Sequence, residues 1–145
     1  MAILPLFSVP GDGGSQLEVK VDKPSVVHYF CEKKTDDYFT LWLNLADLVP
    51  FVIDCWVDNM RLIYDPKQHR SFSPPGVSVR VPGFGNTSTI EYVDPSQVSL
   101  TGYYNVLVDE MVKYGYERGK NLRGAPYDFR KSPRKLLEII SRLRM

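Results

Sequence analysis

Histidine and cysteine are scarce in this chain, and no uninterrupted hydrophobic run approaches membrane-spanning length. Its 145 residues hold two histidines, His28 and His69, and two cysteines, Cys31 and Cys55. Neither Cys-x2-Cys nor His-x3-His occurs, so the spacing fits no compact zinc module. The most apolar stretch, over residues 38–53, is broken by Asn44, Asp47 and Pro50. It lacks the roughly 20 apolar residues in a row that a transmembrane helix needs. Net charge is +1, which excludes the strongly basic character of a nucleic-acid binder. Also missing is Gly-x-Ser-x-Gly: Ser15 follows Gly13 at the right distance, but Leu17 stands where the second glycine belongs. Gly11-x-Gly13 has no third glycine at dinucleotide spacing and no Lys-Ser or Lys-Thr after it, which argues against a nucleotide site.

What is present reads as one domain-sized α/β chain. At 43% hydrophobic and 24% charged, its composition is that of a folded globular protein. Residues 3–9 form a continuous apolar run, as buried parallel strands do, and feed the turn Pro10-Gly11-Asp12-Gly13-Gly14-Ser15. Met1 to Val9 is short, lacks a basic leader and contains Pro5, so it reads as a strand rather than a signal peptide. Residues 16–21 alternate Leu17, Val19, Val21 with Glu18, Lys20, which predicts a strand. Residues 60–64 and 77–81 read as two further strands, with a Pro- and Ser-rich loop over 65–76 between them. Residues 103–114 predict an amphipathic helix stopped by Gly115, and residues 121–130 a short strand followed by the polar corner Tyr127-Asp128-Phe129-Arg130. A last amphipathic helix carries Leu136, Leu137, Ile139, Ile140 and Leu143. It belongs to a basic end: from Arg130 onward there are six basic residues and one acidic one.

Several features have two readings. Backbone N–H groups of the Gly-rich turn would lie at the carboxyl edge of a strand, where they could hold an oxyanion, or the turn is simply tight. Cys31 and Cys55 fit a disulfide or two free thiols. The apolar stretch between them suits a lipid-facing surface or a core segment, and Trp42 an interfacial anchor or a core aromatic. Asp36-Asp37 and Asp54 with Asp58 are carboxylate pairs, more in keeping with solvated surface than with acid–base chemistry. Asn86-Thr87-Ser88 is a glycosylation sequon.

Taken in order, a set of segments resembles the lecithin–cholesterol acyltransferase family, nearest its lysosomal phospholipase A2 branch. They are Val9-Pro10-Gly11-Asp12, Gln16-Leu17-Glu18, Asp22-Lys23-Pro24, Val26-Val27-His28-Tyr29, Lys33-Lys34-Thr35, Trp42-Leu43-Asn44-Leu45, Asp54-Cys55-Trp56, Arg80-Val81-Pro82-Gly83-Phe84-Gly85, Asp94-Pro95-Ser96 and Arg123-Gly124-Ala125-Pro126-Tyr127-Asp128. The resemblance implies the amino-terminal part of an α/β-hydrolase fold, a single incomplete domain over 1–145. Within it, residues 28–60 would form a membrane-binding subdomain closed by a Cys31–Cys55 disulfide. It implies acyl transfer from phospholipid to water or a lipid alcohol through a serine acyl-enzyme, with no cofactor or metal. The partners implied are a phospholipid membrane surface, a lipid acyl donor and an alcohol acceptor, in the lysosome or outside the cell. The Asp12 N–H would be half of the oxyanion hole. Trp42, Leu43, Leu45, Leu48, Val49, Phe51 and Val52 would face lipid.

The chain departs from the family pattern at Gly13 and Ser15 in the turn, at Phe129 for a tryptophan, and at Asn86 for a lysine. The family's serine, aspartate and histidine would lie past Met145, so the chain is expected to be inactive by itself. A non-enzymatic lipid-binding module is the competing expectation. The strand over 3–9 is expected to lack the neighbour that would end in the nucleophile elbow.

Overall fold

The computed structural model describes residues 4–131. In chain order its elements are β1 (Leu6–Ser8), β2 (Leu17–Val21), β3 (Phe39–Trp42), α1 (Ile53–Met60), β4 (Ile63–Asp65), β5 (Arg70–Phe72), β6 (Val77–Arg80), α2 (Ser88–Glu91), α3 (Asn105–Lys113) and β7 (Leu122–Gly124). Strands and helices are mixed, consistent with the α/β class expected. The chain divides into two compact units, one of Leu17–Arg80 and one of the residues on either side of it.

The first unit holds the flanking residues. Here β1 pairs in parallel with β7, Leu6 opposite Leu122 and Ser8 opposite Gly124. The ladder continues at both ends: Leu6 N–H donates to the Asn121 carbonyl at 2.7 Å and Ala125 N–H to the Ser8 carbonyl at 2.9 Å. Parallel pairing needs a long crossover, and the helical segments between the two strands supply it. Among the described residues β7 is the one neighbour of β1.

Helix α3 lies where periodicity placed it. Val108 is buried on its inner face, and the chain leaves through Gly115 at φ 94°. Gly115 N–H donates to the Val112 carbonyl and Tyr116 N–H to the Met111 carbonyl, the paired closing bonds of a glycine-capped helix end. A buried carboxylate ties this unit together. Glu91 accepts from the Thr87 hydroxyl and from Arg118, whose guanidinium also reaches Asp109. Those two carboxylates hold the Arg118 pKa above its ordinary value.

The second unit is built on a three-stranded antiparallel sheet in the order β3-β2-β6. Alternation along β2 does what it predicts: Leu17, Val19 and Val21 are fully buried, with Leu41 and Val77 joining them, while Lys20 faces water. On the other face Glu18 pairs with Arg80, and the Arg80 guanidinium lies 4.1 Å over the Tyr38 ring.

Two expectations fail here. Residues 53–60 form α1, so the strand expected over 60–64 begins only at Ile63. Residues 65–76 are not a plain loop, because β5 pairs with β4, Ile63 opposite Phe72. Asp65 explains the second miss. Its carboxylate accepts the N–H groups of Lys67 and Gln68, which closes a turn and returns the chain beside itself. The last helix expected from the sequence, with Leu136 to Leu143, lies outside the described residues.

Candidate functional site

The Gly-rich turn leaves the carboxyl end of β1 and is held by two tyrosines, Tyr103 and Tyr104, that the sequence reading did not assign to it. Gly14 N–H donates to the Gly11 carbonyl at 3.1 Å, which closes the turn. Gly11 N–H donates to the Tyr103 hydroxyl at 3.2 Å, and the Tyr104 hydroxyl donates to the Val9 carbonyl at 3.3 Å. The Tyr103 ring lies directly on Gly14: a Cβ there would come within 2.6 Å of Tyr103 Cε1, so only glycine admits the ring. Tyr103 and Tyr104 pack against each other at 4.7 Å between centroids, and their own N–H groups donate to the carbonyls of Glu91 and Ile90.

Just past the turn, fully buried Ser15 accepts the Tyr127 N–H on its hydroxyl at 3.1 Å, and the Gln16 amide donates to the Tyr92 carbonyl at 2.8 Å. Among the described residues, the Asp12 N–H donates to no protein acceptor, although the groups on both sides of it are tied down. Burial first, then the negative charge of Asp12, pushes the Tyr127 hydroxyl pKa up, so that phenol is neutral at physiological pH. Asp12 is exposed on this fixed turn. Ser15, a departure from the family pattern, is thus a buried anchor for the Tyr127 corner.

That corner is ionic. Asp128 accepts from Arg130 Nε at 2.8 Å and Nη2 at 2.8 Å, with Lys131 at 3.1 Å. Burial alone would raise the Asp128 pKa; the fork from Arg130 and the Lys131 charge outweigh it and hold the carboxyl below its usual range.

In the other unit Cys31 and Cys55 are joined as a disulfide across 24 residues, their Cα atoms 5.5 Å apart. A hydrogen bond and an ion pair flank the same junction. His28 Nε2 stands 3.0 Å from Asp54 and stacks on Phe30, and nearly buried Lys23 Nζ stands 2.6 Å from Asp58, which Arg61 also holds. Asp54 and Asp58 therefore hold different partners rather than each other. The Lys23 hydrogen bond is the main reason the Asp58 carboxyl lies below its ordinary pKa.

Between the cysteines, β3 ends at Trp42, whose ring packs at 6.1 Å from that of Trp56, while Trp56 Nε1 donates to the Leu41 carbonyl. Asn44 caps a 3-10 turn over Leu45–Leu48 by accepting the Ala46 N–H. The seven expected lipid-facing residues then divide by exposure. Phe51 is 80% exposed, at a positive φ of 73°, and Leu45 and Val49 are about half exposed. Trp42, Leu43, Leu48 and Val52 are half-buried beneath them. Tyr29, 96% exposed, with Val27, Phe30, Ile53 and Val57, adds apolar surface that the sequence reading left out. The signal lay in the run Val26 to Phe30, which is apolar on both sides of His28.

The Lecithin:cholesterol acyltransferase family profile matches residues 38–145. The lysosomal phospholipase A and acyltransferase of Bos taurus is 59% identical over 129 residues, which is 89% of this chain and 32% of that protein. Its Homo sapiens counterpart is 54% identical over 129 residues, again 89% of this chain, and 31% of that protein. The phosphatidylcholine-sterol acyltransferase of Gallus gallus is 46% identical over 140 residues, 97% of this chain and 33% of that protein. The chain thus spans about a third of the length of these relatives. A family match over residues 38–145, and relatives that align with nearly all of the chain, make it a member of the lecithin:cholesterol acyltransferase family.

Proposed function

We propose that this chain is the amino-terminal part of an α/β-hydrolase that moves an acyl chain from a phospholipid to water or a lipid alcohol. A serine oxygen attacks the ester carbonyl, the lysophospholipid leaves, and the acyl-enzyme passes its acyl group to the acceptor. In this reading the Asp12 N–H is half of the oxyanion hole. The observation that carries it is an Asp12 N–H with no acceptor among the described residues, on a clamped turn at the end of a parallel strand, in a chain of this family. Such a donor stabilises a developing negative charge only if its direction is fixed in advance, and Tyr103 and Tyr104 fix it. The 145 residues hold no Gly-x-Ser-x-Gly, so the nucleophile comes from outside them and the chain alone does not turn over. No cofactor enters the scheme, and the lysosome or the extracellular space is the setting.

The same reading assigns residues 28–60 to membrane docking, as part of a single incomplete domain, with Trp42, Leu43, Leu45, Leu48, Val49, Phe51 and Val52 toward lipid. Exposed apolar groups on a disulfide-closed segment support it. Fatty-acid release from phospholipid vesicles at acidic pH tests the whole. A product of the source gene that carries these residues together with a Gly-x-Ser-x-Gly releases fatty acid, and the 145-residue chain releases none. Release by the short chain refutes its inactivity; silence from the longer product refutes the reaction.

A second reading is a lipid-binding module without catalysis, favoured by the same exposed surface. Vesicle co-sedimentation of the chain beside a Trp42→Ala, Leu43→Ala double variant tests it, and equal binding by both forms removes it.

A further inference from the structure

The sequon at Asn86 is the only Asn-x-Ser/Thr triplet in the chain, and the acyl-transfer reading makes no use of it. Its three residues have divergent surroundings. Thr87 is fully buried and bonded to Glu91. Asn86 and Ser88 are exposed. The Asn86 side-chain oxygen accepts the Ser88 N–H at 3.1 Å, an Asx-turn that ties the side chain to the backbone through its oxygen and leaves the amide nitrogen outside that bond. The backbone beneath is fixed: Asn86 N–H donates to the Gly83 carbonyl at 2.9 Å, and Gly85 N–H to the Gly124 carbonyl at 2.8 Å. A Cβ on Gly124 would come within 2.3 Å of the Asn86 carbonyl, so this turn lies against β7. A substituent on the Asn86 amide would therefore leave the surface without displacing a packed group.

A second observation bears on compartment. Cys31 and Cys55 are oxidised to a disulfide, a state that persists in the oxidising lumen where oligosaccharide is also transferred to such triplets. Beside the turn, Phe84 is half exposed, apolar surface that a bulky hydrated sugar would shield.

We infer that Asn86 is a site of N-linked glycosylation, its oligosaccharide standing over the turn of residues 83–86. The amide nitrogen of Asn86 displaces the lipid pyrophosphate carrier from the sugar's anomeric carbon and loses one proton. The proposal rests on the lysosomal or extracellular setting, and the test separates the site from that routing by supplying entry with a cleaved secretory leader.

Three forms of the chain are compared in mammalian cells: wild type, Asn86→Asp and Ser88→Ala. Asn86→Asp keeps the side-chain oxygen that closes the Asx-turn, and Ser88→Ala keeps the N–H it accepts, so both preserve the fold. The expected result is an endoglycosidase-sensitive gel shift in wild type, lost in both variants, with the Cys31–Cys55 linkage intact in the glycosylated form. An unshifted wild type overturns the proposal, as does a shift that survives Asn86→Asp. So does a glycan confined to chains with that disulfide unformed. Glycan mapping of the naturally produced protein then reports on routing alone.

Discussion

The turn after β1 and the segment between Cys31 and Cys55 are secured by different means. The turn is six residues long, and polar contacts from residues about 90 positions away hold it, chiefly Tyr103 and Tyr104. The cysteine-bracketed segment is fastened at its base by a covalent bond, the Lys23–Asp58 ion pair and the His28–Asp54 hydrogen bond, and it leaves Phe51, Leu45 and Val49 in water. A single N–H that must point one way needs a template on every side. A surface that meets fluid lipid needs only a firm base and an apolar outside.

The largest effect should come from removing the covalent base. Cys31→Ser with Cys55→Ser is expected to lower stability by about 3 kcal/mol, the chain-entropy value for a loop of this length. Urea melts of the oxidised chain and the double variant measure it. A loss under ~1 kcal/mol would mean the polar contacts at the base suffice.

Gly14→Ala comes next, since its methyl would drive into the Tyr103 ring. Overpacking of this kind costs about 2 kcal/mol. Tyr103→Phe, which keeps the ring and drops the acceptor, should cost only about 1 kcal/mol. It should also speed amide exchange at Gly11 while leaving β2 unchanged. Additive losses in the Gly14→Ala, Tyr103→Ala pair would show that the ring is not the template.

Phe51→Ser should weaken vesicle binding roughly tenfold, the worth of withdrawing one large side chain from an apolar phase, with folding stability unchanged. Trp42→Ala is the sharpening control, because the Trp42 ring also packs on Trp56 and its loss should lower stability as well.

The smallest effect is on acid stability, and both regions contribute to it. The Asp58 and Asp128 carboxyls lie below their ordinary pKa in the folded chain. Their contribution is therefore complete above the unfolded value of about 4 and is lost as pH falls through the lowered native values. The urea midpoint should hold from pH 7 to pH 5 and fall below pH 4. Asp58→Asn and Asp128→Asn should each flatten that fall, and the difference between them assigns it to one region or the other.

Local patterns were legible in the sequence and distant partners were not. Strand β2 could be read because Leu17, Val19 and Val21 alternate with charged residues, and α3 because its apolar spacing ends at Gly115. Strand β5 was hidden in a Pro- and Ser-rich stretch, where the decisive group was the Asp65 side chain rather than any apolar period. Helix α1 was hidden because it begins where the oily stretch over residues 38–53 ends, and residues 54–59 were read for their carboxylates and cysteine and not for a helical period. The tyrosines over the turn give no local sign at all. Gly11 and Tyr103 stand 92 residues apart in the chain, so no window of sequence contains the contact. The resemblance to a known family pointed to Asp12, yet not to the tyrosines that hold its turn.

Lys23 has one further implication. Its ammonium is sealed against Asp58 while nearly every other lysine in the described chain stands in water. Enzymes that acetylate or ubiquitinate lysine must engulf the free amine, and at this position they would find none until the salt link had parted. That one cation is withheld from the cell's usual lysine chemistry by the same contact that roots the apolar segment.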